Sequence, residues 1–200
     1  WRLPSVGIGW AAVQVAFVQP PSSVGSSPAP FRLFTADGLV DTVGGVGSIV
    51  GTNGFQDITL VKYKGELTFD ASFNRGGDII RVPGAAADYK AALLGSVVSL
   101  TSGETTFSIP IGVGGVSLVF GDGVRKLYFD ESANVAKIGS QALTGSPVVI
   151  TAPTDGTTLP IGGVGDAEGR VFLSSGADVS IGGDHRVFGT PRLEKIHYLS

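Results

Sequence analysis

The sequence predicts an all-β fold, either a short-strand β-sandwich or a β-roll or solenoid-like module, with an extended N-terminal strand. Among 200 residues there are 31 glycines and 11 prolines, and only 16% of residues are charged although 42% are hydrophobic. Apolar runs of strand length recur at spacings of about 8–12 residues and are separated by turn-forming dipeptides. This combination favours many short strands over helices.

Residues 1–33 are expected to form a hydrophobic strand followed by a Pro/Ser linker. Two alternating sets carry this prediction, one before and one after a β-bulge: Val6, Ile8 and Trp10, then Val13, Val15 and Phe17. The apolar stretch is too short for a transmembrane helix, which needs about 20 residues. It also fits a signal-peptide remnant. The linker Gln19–Pro30 should be extended, with a reach of up to about 40 Å.

An internal repeat gives the domain organisation. Residues 34–62 match residues 172–200 in one constant register, without a gap. The identical pairs are Phe34/Phe172, Gly38/Gly176, Gly44/Gly182, Gly45/Gly183, Gly51/Gly189, Thr52/Thr190 and Ile58/Ile196. The repeat predicts one full β unit at 34–171 and the start of a second, incomplete unit at 172–200. Chance similarity of two Gly-rich hairpins is the alternative.

Strands are predicted wherever an apolar or alternating run lies between turn signals. They are Ile58–Lys62, Glu66–Asp70, Ile79–Val82, Tyr89–Leu94, Val97–Thr101, Thr105–Ile109, Val116–Phe120, Lys126–Phe129, Ala136–Ile138, Val148–Thr151, Val171–Leu173 and Lys195–Leu199. Only Gly84–Asp88 invites a helix, and a single turn is marginal.

The sequence carries no catalytic signature, so the protein is not expected to be an enzyme. The chain has no cysteine and no G-x-S-x-G motif, and its two histidines, His185 and His197, are too few for a zinc site without cysteine. His185 is expected in a turn and His197 on a strand surface. The net charge of −3 and the lack of a Lys/Arg run argue against a nucleic-acid partner.

Calcium is the one cofactor that the sequence suggests. Several Gly-Gly turns resemble degenerate copies of the β-roll calcium repeat. The best oxygen cluster is Asp70, Asn74 and Asp78, which flank a Gly-Gly turn. The alternative is that these side chains hydrogen-bond to their own backbone in Asx turns.

About half of the chain resembles a repeat module of alphaproteobacterial secreted surface proteins, which are S-layer-like or haemolysin-type calcium-binding repeat proteins. The resemblance rests on the segments 68–89, 97–101, 106–112, 118–123, 125–128 and 137–141. It implies an extracellular or cell-surface location, export from the cell and calcium dependence. The expected ligand aspartates of the β-roll repeat are missing.

The expected function is therefore an extracellular structural or assembly module, such as a building block of an S-layer, a filament or an adhesin stalk. The predicted partners are copies of the chain itself, joined head to tail by strand donation, with a surface polysaccharide as a further candidate. A carbohydrate-binding or fibre-type recognition domain is the alternative, and an exposed aromatic platform would favour it. An accessory domain of a secreted hydrolase is the third interpretation.

Overall fold

Two nine-stranded mixed sheets pack face to face, which confirms the all-β prediction. The computed structural model describes residues 30–61, 65–75, 77–156, 158–159, 167–183, 185–191 and 194–199. Its only helical segments within these ranges are two short 3-10 turns, Ala71–Asn74 and Ala86–Asp88. The second of these lies within the segment that the sequence marks as a marginal helical turn.

The spatial order of the strands in each sheet differs from their order in the chain. Sheet 1 contains β14 (Val148–Val149), β7 (Lys90–Leu94), β8 (Val97–Ser102), β9 (Thr105–Pro110), β5 (Gly65–Phe69), β3 (Gly47–Val50), β1 (Phe31–Phe34), β15 (Gly169–Leu173) and β17 (His185–Phe188). Sheet 2 contains β13 (Gln141–Ala142), β12 (Val135–Ile138), β11 (Gly123–Asp130), β10 (Val116–Phe120), β6 (Ile79–Arg81), β4 (Gln56–Leu60), β2 (Leu39–Gly45), β16 (Asp178–Gly182) and β18 (Lys195–Leu199).

Most predicted strands lie close to an observed strand, and β10 and β18 match their predictions. The strands that the sequence reading missed are β1, β2, β3, β13, β16 and β17. Glycine explains two of these misses, because the Gly-Gly pairs at 44–45 and 182–183 suggested turns. Gly44, Gly45 and Gly182 instead lie within β2 and β16. A Cβ at Gly45 would lie 2.6 Å from the carbonyl oxygen of Asp178, so this position requires close backbone approach.

The chain first winds as a flattened coil that alternates between the sheets. Strands β1, β3 and β5 lie parallel in sheet 1, and β2, β4 and β6 lie parallel in sheet 2. The chain then changes to antiparallel hairpins, with β7–β8–β9 in sheet 1 and β10–β11–β12–β13 in sheet 2. The fold therefore combines a solenoid-like part with a meander in one sandwich.

The first coil turns of both repeat units have the same geometry. Phe31 pairs with Gly47 in unit 1, and Gly169 pairs with His185 in unit 2, so the two pairs span equal lengths of chain. In sheet 2, the pairing of β2 with β4 and that of β16 with β18 also span equal lengths. The equivalence of the strands begins three residues before the sequence match, so in the structure unit 1 starts at Phe31 and unit 2 at Gly169.

A matching corner turn also recurs in the two units. The backbone N–H of Thr52 donates to Oε1 of Gln56 at 3.4 Å, and that of Thr190 donates to Oε1 of Glu194 at 2.8 Å. Each turn leads from the strand in sheet 1 to the next strand in sheet 2. The Gly-Thr pairs shared by the two units therefore lie at a corner where the side chain four residues after the threonine accepts a hydrogen bond from its backbone N–H.

The two units meet around a pseudo-twofold axis. Strand β1 pairs antiparallel with β15, and β2 pairs antiparallel with β16. Leu33 lies opposite Val171 and Val43 lies opposite Ile181, and in each pair the two residues occupy equivalent positions of the repeat. A residue that faces its own equivalent is the signature of an isologous contact. The chain thus contains, between its own two units, the kind of junction that usually joins two subunits.

Both sheets contribute to one core at this junction and beyond it. Its fully buried side chains include Leu33, Ile49, Leu67, Leu100 and Phe107 of sheet 1 and Leu39, Val43, Ile58, Ile80 and Leu118 of sheet 2.

Large and small residues are exchanged between the two units. In unit 1 the ring of Phe31 lies over Gly47, where a Cβ would meet the ring at 2.6 Å. In unit 2 the equivalents are Gly169 and His185, and the imidazole of His185 fills the space over Gly169, with 2.8 Å to a Cβ there. Each unit therefore has one ring and one glycine at this cross-strand pair. The ring is on the first strand in unit 1 (Phe31) and on the second strand in unit 2 (His185).

Gly47→Ala should lower the free energy of unfolding by about 1–3 kcal/mol, because the added methyl group overlaps both the Phe31 ring and the Phe31 carbonyl oxygen. Gly145→Ala is the matched control, because the nearest atom to a Cβ at that exposed position is a carbonyl oxygen at 3.7 Å. Urea unfolding of both variants measures the difference. Equal effects of the two substitutions would contradict the close packing at Gly47.

Candidate functional site

The predicted calcium ligand Asp70 caps the 3-10 turn Ala71–Asn74. Its Oδ1 accepts hydrogen bonds from the backbone N–H groups of Ser72 and Gly51, both at 3.2 Å, and from the Ser72 hydroxyl. Asp70 thus ties the end of β5 to the corner that follows β3. This is the local capping role that the alternative interpretation describes.

The second predicted ligand, Asp78, is fully buried just before β6. Its Oδ1 accepts the backbone N–H of Gln56 at 2.8 Å, and its Oδ2 has no hydrogen-bond partner among the described residues. Burial is the main reason why the pKa of Asp78 is raised to about 7; the negative charge of Asp37 acts in the same direction, and the hydrogen bond from the Gln56 backbone opposes the shift. Ionisation of Asp78 therefore destabilises the folded state.

The third predicted ligand, Asn74, packs against the backbone near Gly112 and Gly114. Asp70 follows a strand of sheet 1, whereas Asp78 precedes a strand of sheet 2. Within the described ranges, no group of three or more His, Cys, Asp or Glu residues is close enough to hold a metal ion. The calcium site at Asp70, Asn74 and Asp78 stays a prediction.

Calcium, where it binds this segment, should raise the melting temperature of the parent chain, and Asp70→Ala with Asp78→Ala should abolish that rise. The Asp70→Asn/Asp78→Asn pair keeps hydrogen-bond acceptors at both positions and tests the same loss with less risk to folding. Asp130→Ala is the control, because Asp130 also caps an Asx-type turn, through Ser132. If calcium leaves the parent melting temperature unchanged, the predicted calcium site at Asp70, Asn74 and Asp78 does not exist.

Asp78 also predicts a pH dependence of stability. Its pKa is about 7 in the folded state and starts from 3.8, so the folded state holds the proton more tightly. The contribution of Asp78 to the free energy of unfolding is therefore greatest below about pH 4, and it is lost as the pH rises to about 7. Burial likewise raises the pKa of Asp41, which acts in the same direction.

Asp78→Asn should therefore flatten the loss of stability between about pH 4 and pH 7 and stabilise the protein by a few kcal/mol at pH 8. Glu131→Gln, at an exposed turn, removes one negative charge without these effects. Urea midpoints across the pH range give the comparison. A parent slope retained in Asp78→Asn would show that another group controls it.

The junction between the units contains a buried ionisable pair. Nε2 of His185 lies 2.6 Å from Oδ2 of Asp41, and both side chains are almost completely buried. The backbone N–H of Thr42 donates to the other carboxylate oxygen at 2.6 Å. His185 begins β17, so its expected place in a turn was wrong. His197 lies on the surface of β18 as predicted and contacts Asp178 at 2.9 Å.

The outer face of sheet 1 carries a row of arginine and phenylalanine side chains, which we name the Arg–Phe face. Its members are Arg32 and Phe34 of β1, Arg170 and Phe172 of β15, and Arg186 and Phe188 of β17. The Phe34 and Phe172 ring centroids are 5.6 Å apart, edge to face, and those of Phe172 and Phe188 are 4.7 Å apart and stacked. All three phenylalanines are substantially exposed.

This face is not among the residues predicted from the sequence, although a signal for it was present. Extending the repeat match upstream in the same register aligns Arg32 with Arg170. The alternation of Arg32 and Phe34 also places them together on the solvent side of β1. Their cross-strand partners are Phe172 and Arg170, so the face repeats around the pseudo-twofold axis.

The two ends of the sandwich differ. At one end, β13 and β14 are very short, and the Gln141 side chain bridges them by donating to the Val149 carbonyl and accepting from the N–H groups of Thr151 and Ala152. At the other end, β17 and β18 are the outermost of the described strands of sheets 1 and 2. Tyr198 on β18 is 75% exposed. Short, bridged strands protect an edge, whereas longer outer strands leave backbone groups available.

The six residues predicted to mediate assembly, Val6, Ile8, Trp10, Val13, Val15 and Phe17, lie outside the described residues. Within the described part of the chain, no helix is long and apolar enough to cross a membrane.

Comparison with known proteins gives no relative: no family model, no curated protein and no solved structure matches the chain.

Proposed function

We propose that the protein is an extracellular structural module that assembles through the outer edges of β17 and β18. The observation that carries this proposal is the contrast between the two ends of the sandwich. The strands β13 and β14 are short and bridged by Gln141, whereas β17 and β18 are longer and are the outermost described strands of the two sheets. Unprotected strand edges recruit further strands.

The equivalent edge of unit 1 supports strand addition at this end. Strand β17 corresponds to β3 and β18 corresponds to β4, and in unit 1 these strands are extended by the parallel strands β5 and β6. In unit 1, therefore, the strands equivalent to β17 and β18 each pair with a further parallel strand. Main-chain hydrogen bonds would give affinity, and alternate side chains would set the register.

The hydrophobic segment Val6–Val18 is the proposed donor, and the linker Gln19–Pro30 gives it reach. The position beside β17 lies three strand spacings from β1, or about 14 Å, because neighbouring strands are about 4.8 Å apart. A linker reach of about 40 Å covers this distance and also extends beyond the molecule. Donation to a neighbouring copy is heterologous and yields rings or filaments.

The full chain should therefore sediment as concentration-dependent oligomers, and the chain lacking residues 1–30 should sediment as a monomer. Tyr198→Lys places a charge on the accepting edge and should weaken assembly, because charged edge residues oppose strand addition. Val113→Lys is the control, since Val113 is an exposed valine in a loop away from that edge. If the full and shortened chains are both monodisperse monomers at high concentration, strand donation is wrong.

A further inference from the structure

The Arg–Phe face brings together charges that the fold itself does not neutralise. Arg186 is paired with Glu168 at 2.8 Å, and both side chains are exposed. Among the described residues, Arg32 and Arg170 form no ion pair, although they lie diagonally across the β1–β15 pair. Like charges this close on neighbouring strands are unfavourable. Both copies of the repeat carry this arginine, so an anionic ligand accounts for the pair better than the folding of the sheet does.

The phenylalanines add an apolar ridge between these guanidinium groups. Phe34 and Phe172 lie on the other diagonal of the same strand pair, and Phe188 extends the row to β17. Large apolar side chains that are exposed together and rimmed by polar groups mark an interaction surface. The face is therefore suited to a ligand with both acidic and apolar parts.

Two open grooves flank the ridge and follow the same pseudo-twofold relation. One, of about 540 Å³, contains Arg32 and Phe172 together with Ser48, Glu66 and Thr68. The second groove, of about 570 Å³, is related to the first through the exchange of units. Its lining includes Arg170, Phe34, Asp37, Asn53 and Glu168. Each groove combines one guanidinium with hydroxyl, amide or carboxylate groups that can bind the hydroxyl groups of a ligand.

We propose that the Arg–Phe face binds an acidic polysaccharide built from uronic-acid rings. The planar guanidinium groups of Arg32 and Arg170 match carboxylates in bidentate geometry. The ridge offers apolar contact to the C–H surfaces of the rings, and the groove side chains bind ring hydroxyls. A polymer with repeated carboxylates can occupy both halves of the face at once.

Other occupants fit the face less well. A second copy placed face to face would set three arginines against three arginines. A single-stranded nucleic acid needs open aromatic faces for its bases, but Phe172 and Phe188 already cover one another at an interplanar angle of 10°. The carboxylates of Glu66, Asp37 and Glu168 in the grooves accept hydrogen bonds from sugar hydroxyls, which leaves the carboxylates of the ligand to Arg32 and Arg170.

Titration calorimetry of the full chain with polygalacturonate oligomers tests this assignment, with neutral dextran as the comparison ligand. We expect binding to polygalacturonate only, and a loss of affinity of about tenfold or more in Arg32→Gln/Arg170→Gln. Arg75→Gln/Lys90→Gln removes the same net charge at exposed positions outside the face and should bind as the parent does. Melting curves verify that both double variants are folded.

Three outcomes would overturn the proposal: no binding of polygalacturonate, equal binding of dextran, or an equal loss in the two double variants. Vesicles of phosphatidylglycerol form a further arm of the experiment. Vesicle binding that depends on Arg32 and Arg170, without polygalacturonate binding, would assign the face to an anionic membrane surface instead. The measurement does not depend on self-assembly, because Tyr198→Lys keeps the whole Arg–Phe face and should bind polygalacturonate normally.

Discussion

The antiparallel contact between the two units is the constraint on which the rest of this structure depends. Each sheet runs without a break through it, because β1 pairs with β15 in sheet 1 and β2 pairs with β16 in sheet 2. The coils then grow away from the contact in opposite directions. The same contact brings Arg32 and Phe34 beside their own equivalents, so the Arg–Phe face exists only because the units meet in this orientation.

Approximate symmetry lets the two units differ where they touch. Phe31 over Gly47 and His185 over Gly169 fill the same kind of cross-strand position with different chemistry. The exchange brings the imidazole of His185 to the carboxylate of Asp41. Removing one partner of such a buried pair would strand the other in an apolar environment, which costs more than the intact pair contributes. The pair thus favours this one arrangement of the units over alternatives that separate Asp41 from His185.

Sequence reasoning recovers the parts of the fold that depend on local pattern. Apolar runs such as Val116–Phe120 give the strands of the meander, and the internal repeat gives the equivalence of the coil turns. The repeat carries no information about how the units face each other, because its register is the same for parallel and antiparallel contacts. The turn predicted from Gly44 and Gly45 was wrong, since glycine is favoured both in turns and where two backbones approach closely. The burial of Asp78 could not be predicted from the Asp70–Asp78 segment. Asp78 packs against Gln56, which lies 22 residues earlier in the chain, on β4.

Among the described strands, the two ends of the sandwich differ in how their outer edges are covered. Strand addition at β13 and β14 would have to displace the Gln141 side chain, which satisfies three backbone groups there. Under the proposed function, strand addition beside β17 or β18 avoids that displacement. The proposed strand donation would therefore use the end at β17 and β18, and the Arg–Phe face lies near that end on the outer side of sheet 1.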